Sequence, residues 1–258
     1  MIQLQFENQR AKIDAGELIG YEVDGHEFIH QKGSPGWRSS DTEMFPIIGP
    51  TAEAGFKVTT PKGEAVQDQH GLLREMEYSL GSQSDAKALF KKEYVAGAMV
   101  KNSKYPKKSS EAKLSWPYNF QFEKHFALTD KGLEITFAIS GDAAMPFMLG
   151  YHPAFKLYSK TPTINTGTKV ITLPEILAVG SRALQVPDRN EIILKDVRGL
   201  RIKTQGFEHF MLWTEVPNMV CIEPITFYPY AVDQKDLHQG FYHLNGKKKE
   251  FKIAIVPI

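Results

Sequence analysis

Apolar and polar positions alternate with a period of two along most of the chain, a pattern that predicts strands. The run Glu17-Leu-Ile-Gly-Tyr-Glu-Val is followed by Asp24-Gly25 and then by His26-Glu-Phe-Ile-His. Asp-Gly between two alternating runs signals a hairpin, because both turn positions need positive φ. Over 116–139, Phe120, Phe122, His125-Phe126 and Leu128 lead into Asp130-Lys131-Gly132. Leu133, Ile135, Phe137 and Ile139 then follow at every second position. A third hairpin is expected near the C-terminus, where Phe241-Tyr-His-Leu and Phe251-Lys-Ile-Ala-Ile-Val flank Asn245-Gly246. Helical periodicity is scarce. Only 40–45 and 233–239 suit a short helical turn, with Ser40 or Asp233 as cap. Many short strands separated by turn residues predict an all-β chain folded as a large antiparallel β-sandwich or barrel. With no linker and no internal repeat, residues 1–258 are expected to form a single domain.

Composition adds exclusions. Hydrophobic residues make up 42% and charged residues 24% of the 258 positions, enough for a substantial core. A net charge of +1 argues against a nucleic-acid partner, which would demand a strong basic excess. The one cysteine, Cys221, allows no intramolecular disulfide and reads as a small buried apolar residue. No stretch approaches the roughly 18 apolar residues of a membrane span. The N-terminal Met-Ile-Gln-Leu-Gln-Phe-Glu lacks the look of a secretory signal. A cytoplasmic protein with no membrane partner is the expectation, as a monomer or homodimer.

One catalytic motif is present only in letters. His26-Glu27-Phe28-Ile29-His30 matches the zinc-protease pattern, which works only on a helix. On the second arm of a hairpin, residues four apart are separated by about 13 Å and share no zinc. No other spacing suggests a metal site. Phosphate-binding glycine loops, dinucleotide fingerprints and a nucleophile elbow are missing too. The basic segment 101–113 (Lys101, Lys104, Lys107, Lys108, Lys113) reads first as a solvated loop and second as a clamp for an anionic substrate.

Three segments set titratable residues among apolar ones: Gln69-His70-Gly71-Leu72-Leu73-Arg74, Leu149-Gly150-Tyr151-His152-Pro153-Ala154-Phe155 and Met219-Val220-Cys221-Ile222-Glu223-Pro224. His152 and Glu223 each precede a proline, which biases them toward extended backbone and interrupts regular pairing after them. Alternation sends Val220 and Ile222 to one side of a strand and Cys221 and Glu223 to the other. A carboxylate there needs a partner, Arg74 for instance, or a wet cavity.

In these segments, and in Gly16-Glu17-Leu18, Met44-Phe45-Pro46-Ile47-Ile48-Gly49, Trp116-Pro117-Tyr118-Asn119-Phe120 and Leu212-Trp213-Thr214, the chain resembles the aldose 1-epimerases (galactose mutarotase-like proteins), particularly their short bacterial branch. The resemblance implies a galactose mutarotase-like supersandwich that interconverts the α and β anomers of a sugar without a cofactor. It implies His152 as general acid on the ring oxygen, Glu223 as general base on the anomeric hydroxyl and His70 as a sugar-binding assistant. Arg74, Tyr151 and Trp37 are the expected sugar contacts, while Trp213 is expected in the core. Relatives commonly carry an arginine where Pro50 stands and a tryptophan where Ile225 stands; Arg74 or Arg38 are the candidates to replace that arginine. Two further readings compete: a hexose-6-phosphate epimerase, from the lysine-rich loop, and a non-catalytic carbohydrate-binding protein, from Pro50.

Overall fold

The computed structural model describes all 258 residues. A nine-stranded antiparallel sheet runs in the order Val170–Thr172, Thr163–Asn165, Glu191–Lys195, Leu200–Gln205, Lys249–Pro257, Gly132–Gly141, Phe120–Thr129, Lys87–Tyr94, Ser79–Gln83. A smaller sheet carries Leu184–Val186, His209–Trp213, Met219–Ile225, Gly150–Tyr151 and Glu43–Met44 in that order, and Ala154–Lys156 also pairs with Met219–Ile225. Ile2–Phe6, Gln9–Asp14, Glu17–Val23 and His26–Glu27 form a separate four-stranded sheet. The expected large antiparallel β-sandwich is therefore the observed architecture.

A cluster of 52 buried residues fills the space between the layers. Phe137 of the large sheet meets Tyr151 of the smaller one at 5.1 Å between ring centres, and Phe122 meets Phe45 at 5.4 Å. Val220 and Ile222 belong to this cluster, whereas Cys221 lies in a small group on the other side with Ala154 and Met219. Period-two alternation thus separates a core face from a second face on the smaller sheet.

The first two hairpins form as expected. Val23 pairs with His26 around Asp24-Gly25, whose φ angles of 50° and 76° match the left-handed turn that Asp-Gly favours. Thr129 pairs with Gly132 around Asp130-Lys131. The first hairpin's second arm stops at Glu27 because the Glu27 carboxylate accepts the N–H groups of both Tyr21 and Ile29 at 2.8 Å. His26 then packs on Phe28 and Tyr158, while His30 Nε2 donates to the Trp37 carbonyl. The two histidines serve different neighbours.

The C-terminal hairpin does not form. Lys249–Pro257 spends both edges on Gly132–Gly141 and Leu200–Gln205, and Tyr242–His243 pairs with Pro146–Phe147. Residues 40–45 are not helical; Glu43–Met44 is a strand beside Gly150–Tyr151. The expected turn at 233–239 is a 3₁₀ segment, Gln234–Gly240, with no side-chain cap from Asp233. An unexpected α-helix spans Leu173–Val179, opened by a capping box in which Thr172 and Glu175 bond reciprocally.

Lys124 breaks the apolar rule of its strand. In Phe120–Thr129 the inward set is Phe120, Phe122, Lys124, Phe126 and Leu128, and Lys124 is fully buried. Its ammonium meets Asp41 Oδ2 at 2.7 Å and Glu43 Oε1 at 2.6 Å, bridging the two sheets. Tyr151 donates its hydroxyl proton to Asp41 Oδ2 at 2.6 Å. Burial opposes charge on Lys124, but the two carboxylates prevail and raise its pKa. Burial pushes Asp41 up to about 6, against the pull of Lys124.

Candidate active site

Two prolines and one register build the centre of the site. Gly150 pairs with Ile225 and Ala154 pairs with Cys221, both on Met219–Ile225. The same antiparallel register, continued between those pairs, sets His152 directly opposite Glu223. Neither Pro153 nor Pro224 has an N–H to give the ladder, so the pairing opens between the two bridges. Directly opposed residues keep their β-carbons about 5 Å apart, and His152 Nε2 stands 3.5 Å from Glu223 Oε1. His152 is fixed from its other edge: its N–H donates to the Thr42 carbonyl at 2.8 Å, and Thr42 N–H donates back at 3.3 Å.

His70 arrives on a loop. Its φ of 75° and that of Gly71, 69°, place two successive residues in the left-handed region, which is costly for histidine. A β-carbon at Gly71 would sit 2.2 Å from the Phe45 carbonyl oxygen, so only glycine fits. The His70 backbone is clamped by His70 N–H to Ile48 O at 3.0 Å and Phe45 N–H to His70 O at 3.2 Å. A carbonyl only accepts, so the 3.2 Å contact from His70 Nδ1 to Ile48 O makes Nδ1 the protonated nitrogen. Nε2 of a neutral His70 is then an acceptor.

His70, His152 and Glu223 line one cavity of about 340 Å³, together with Trp37, Trp213, Gln69, Tyr230, Arg182 and Lys108. Trp37 lies 4.2 Å from the His152 ring, and Trp213 meets it edge-on at 5.9 Å. His70 and His152 are 5.5 Å apart, ring centre to ring centre. The volume suits a small polar ligand, and two indoles offer apolar faces beside the polar groups.

The electrostatics follow from burial. The Glu223 carboxyl is 2% exposed and its pKa is pushed well above the usual carboxylate range by loss of water. Burial, then the nearby Arg74 charge, lowers His152 to about 3. Burial also lowers His70, helped by the charges of His152, Arg74 and Lys104. A proton shared by the His152–Glu223 pair is therefore held better by the carboxyl than by the imidazole. His152 Nδ1 and Glu223 Oε1 are buried without a hydrogen-bond partner, an arrangement costly unless a ligand completes it.

Of the six residues singled out from the sequence, four converge here: His70, His152, Glu223 and Trp37. Tyr151 does not, for a strand reason. It neighbours His152 and so points to the opposite face, into the core. Arg74 lines an adjacent cavity with Asp41, Glu43 and Lys92 rather than this one, and its ion pair is with Glu75 at 3.6 Å, not with Glu223. Arg38 is exposed and lines neither cavity. The guanidinium that does reach the cavity belongs to Arg182. Trp213, expected in the core, is a half-buried cavity wall. In the basic loop, Lys104 bonds Asp68 at 2.8 Å and the Gln69 carbonyl at 3.1 Å, while Lys108 lines the cavity.

Comparison with known proteins agrees with this fold. A galactose mutarotase-like protein from Lactobacillus casei superposes with a TM-score of 0.76 at 18% identity, covering 100% of both chains. A galactose mutarotase related enzyme from Lactobacillus acidophilus gives 0.76 at 18% identity, over 98% of this chain and 96% of that one. An aldose epimerase homologue from C. elegans gives 0.70 at 10% identity, over 100% and 98%. No curated protein sequence matches the chain. The aldose 1-epimerase family profile matches residues 32–196, about two thirds of the chain, which therefore belongs to the aldose 1-epimerase family.

Proposed function

We propose that the whole chain acts as one domain that interconverts the α and β anomers of a hexose by acid–base ring opening and closure. The observation that carries this reading is the His152–Glu223 pair: opposed in register, 3.5 Å apart, buried and incompletely hydrogen-bonded at a sugar-sized cavity.

Ring opening removes the proton from O1 and delivers one to O5 as the C1–O5 bond breaks. The aldehyde then rotates about C1–C2, and closure on its other face reverses both transfers. Glu223 takes the O1 proton and His152 protonates O5; closure returns both. The cycle needs one proton on the pair. Moving it from carboxyl to imidazole across the 3.5 Å contact creates the carboxylate–imidazolium form without changing the net charge. Sugar hydroxyls that donate to Glu223 favour that form. One positioned acid or base contributes about 10²–10⁴-fold. His70, neutral with Nε2 free to accept, holds a sugar hydroxyl near the ring oxygen.

The test is anomer exchange on a panel of aldoses, followed by polarimetry or NMR. Exchange with wild type no faster than in buffer overturns the reading. A second reading is favoured by Lys108 and Arg182, two cations on the wall of the same cavity: the sugar carries a phosphate. It expects exchange of hexose 6-phosphates at higher kcat/KM than of free hexoses. It further expects Lys108→Ala to erase that preference by roughly 10-fold or more, the worth of one charge-assisted hydrogen bond. An unchanged preference in that variant rules it out.

A further inference from the structure

Cys221 is the chain's one cysteine, and the acid–base chemistry makes no use of it. It stands two residues before Glu223 on the same strand and hence on the same face. Its cross-strand partners are Ala154 on one side and Trp213 on the other. One donor atom from each of His152, Cys221 and Glu223 lies within 4.8 Å of the other two. Zinc bonds of about 2.0–2.3 Å in tetrahedral array set ligand atoms roughly 3.3–3.7 Å apart. The His152–Glu223 contact, at 3.5 Å, already has that spacing.

Three further observations point to a ligand. Glu223 Oε1, the oxygen that stands 3.5 Å from His152 Nε2, is buried with no hydrogen-bond partner, and the two side chains are only 2% and 8% exposed. Imidazole, thiolate and carboxylate form the nitrogen–sulfur–oxygen set suited to zinc. His152 and Glu223 also line the cavity, so a fourth coordination position opens toward it.

We propose that His152, Cys221 and Glu223 form a site for a thiophilic divalent cation such as Zn²⁺, and that the bound ion silences the acid–base pair. On binding, the metal–sulfur bond replaces the S–H bond and the thiol proton leaves to solvent. No electron is transferred. The ion occupies the carboxylate and imidazole that ring opening needs, so metal and sugar exclude one another. The inhibitory half rests on the epimerase reading; the binding half does not.

Cobalt(II) is the probe. Titrated into the intact, metal-free, thiol-reduced protein without sugar, it should give one equivalent of tetrahedral d–d absorption and a thiolate-to-cobalt charge-transfer band. Only Cys221 can supply that band, and added Zn²⁺ should abolish it. Cys221→Ser should lose the band and bind at least as much weaker as the roughly 10–100-fold that outer-shell changes cost, with anomer exchange retained. Glu223→Gln keeps the thiol and the side-chain shape, and should keep the band at reduced affinity. Failure of wild type to give the band, or equal affinity in Cys221→Ser of unchanged melting temperature, overturns the site. A normal cobalt spectrum from a protein without anomer exchange upholds the site and rejects the epimerase reading alone. Zn²⁺ at saturating occupancy with exchange undiminished overturns the inhibition.

Discussion

Two buried clusters of ionisable side chains stand side by side, and Trp37 lines the cavity next to each. In the first, Lys124 is held between Asp41 and Glu43 at 2.7 and 2.6 Å, and Tyr151 donates a further bond to Asp41. The Glu43 contact is an ion pair whose angle lies outside hydrogen-bond geometry. In the second, His152 and Glu223 face each other at 3.5 Å, with one buried polar atom of each unpartnered. The adjacent residues Tyr151 and His152 belong one to each cluster. The first is answered from within the protein and joins the sheets. The second is left open, and a buried polar group left open is where a ligand gains most by binding. Burial alone does not separate the clusters, and Glu43 Oε1 also lacks a hydrogen bond. The counter-charge separates them, because Lys124 stands at 2.7 and 2.6 Å from its two carboxylates while Glu223 faces only an imidazole whose pKa is lowered.

The sharpest way to break this contrast is to remove the Glu223 charge. Glu223→Gln should cost about 10²–10⁴ in kcat, up to roughly 5.5 kcal/mol of barrier, while leaving the melting temperature unchanged or higher. His152→Ala should fall in the same range. A large loss of thermal stability in Glu223→Gln would make the site a structural cluster like its neighbour.

Lys124→Met is the converse. It strips the counter-charge from two buried carboxylates and should destabilise the fold by about 3–5 kcal/mol, read by urea denaturation. Asp41 and Glu43 lie on the cavity that Arg74 shares, not on the one holding His152 and Glu223. Folded Lys124→Met should therefore retain most of its kcat. Loss of kcat beyond about 10²-fold in folded protein would show that the two clusters act as one.

The same contrast explains what the sequence disclosed. Local signals were readable: Asp24-Gly25, the strand alternation around Asp130-Lys131, and the prolines after His152 and Glu223. Two more were readable and carry the main corrections. Lys124 occupies an inward position of a strand whose other inward residues are apolar, a mark of a buried ion pair. Tyr151 and His152 are neighbours on a strand and cannot face one cavity. Thr172-x-x-Glu175 announced the helix that periodicity did not. Long-range pairing was not readable. Asn245-Gly246 turns the chain, but the partners of Lys249–Pro257 are set by strands far away in sequence. Arg182 and Lys108 reach the cavity from outside the strands, where alternation says nothing about direction.

The smallest effect tests where the shared proton rests. In the unfolded chain His152 and Glu223 titrate near 6.5 and 4.5. In the folded chain burial lowers His152 to about 3 and raises Glu223. Between pH 4.5 and 6.5, for as long as folded Glu223 keeps its proton, each state holds one proton on the pair, on His152 when unfolded and on Glu223 when folded, so the pair adds no slope to stability. Below pH 4.5 the unfolded pair holds two protons and the folded pair one. Stability is therefore lost as pH falls toward 3. Above pH 6.5 the unfolded pair holds none, and stability is lost as pH rises for as long as folded Glu223 keeps its proton. Each such interval is worth at most about 1.4 kcal/mol per pH unit. Glu223→Gln deletes the carboxyl and should remove the alkaline arm. It should also convert the plateau between 4.5 and 6.5 into a slope, stability now falling as pH falls, because His152 titrates alone. Urea titrations of both proteins across pH 4–8 measure the difference. Parallel curves would place the resting proton elsewhere than on Glu223 and make the open cluster electrostatically as settled as the closed one.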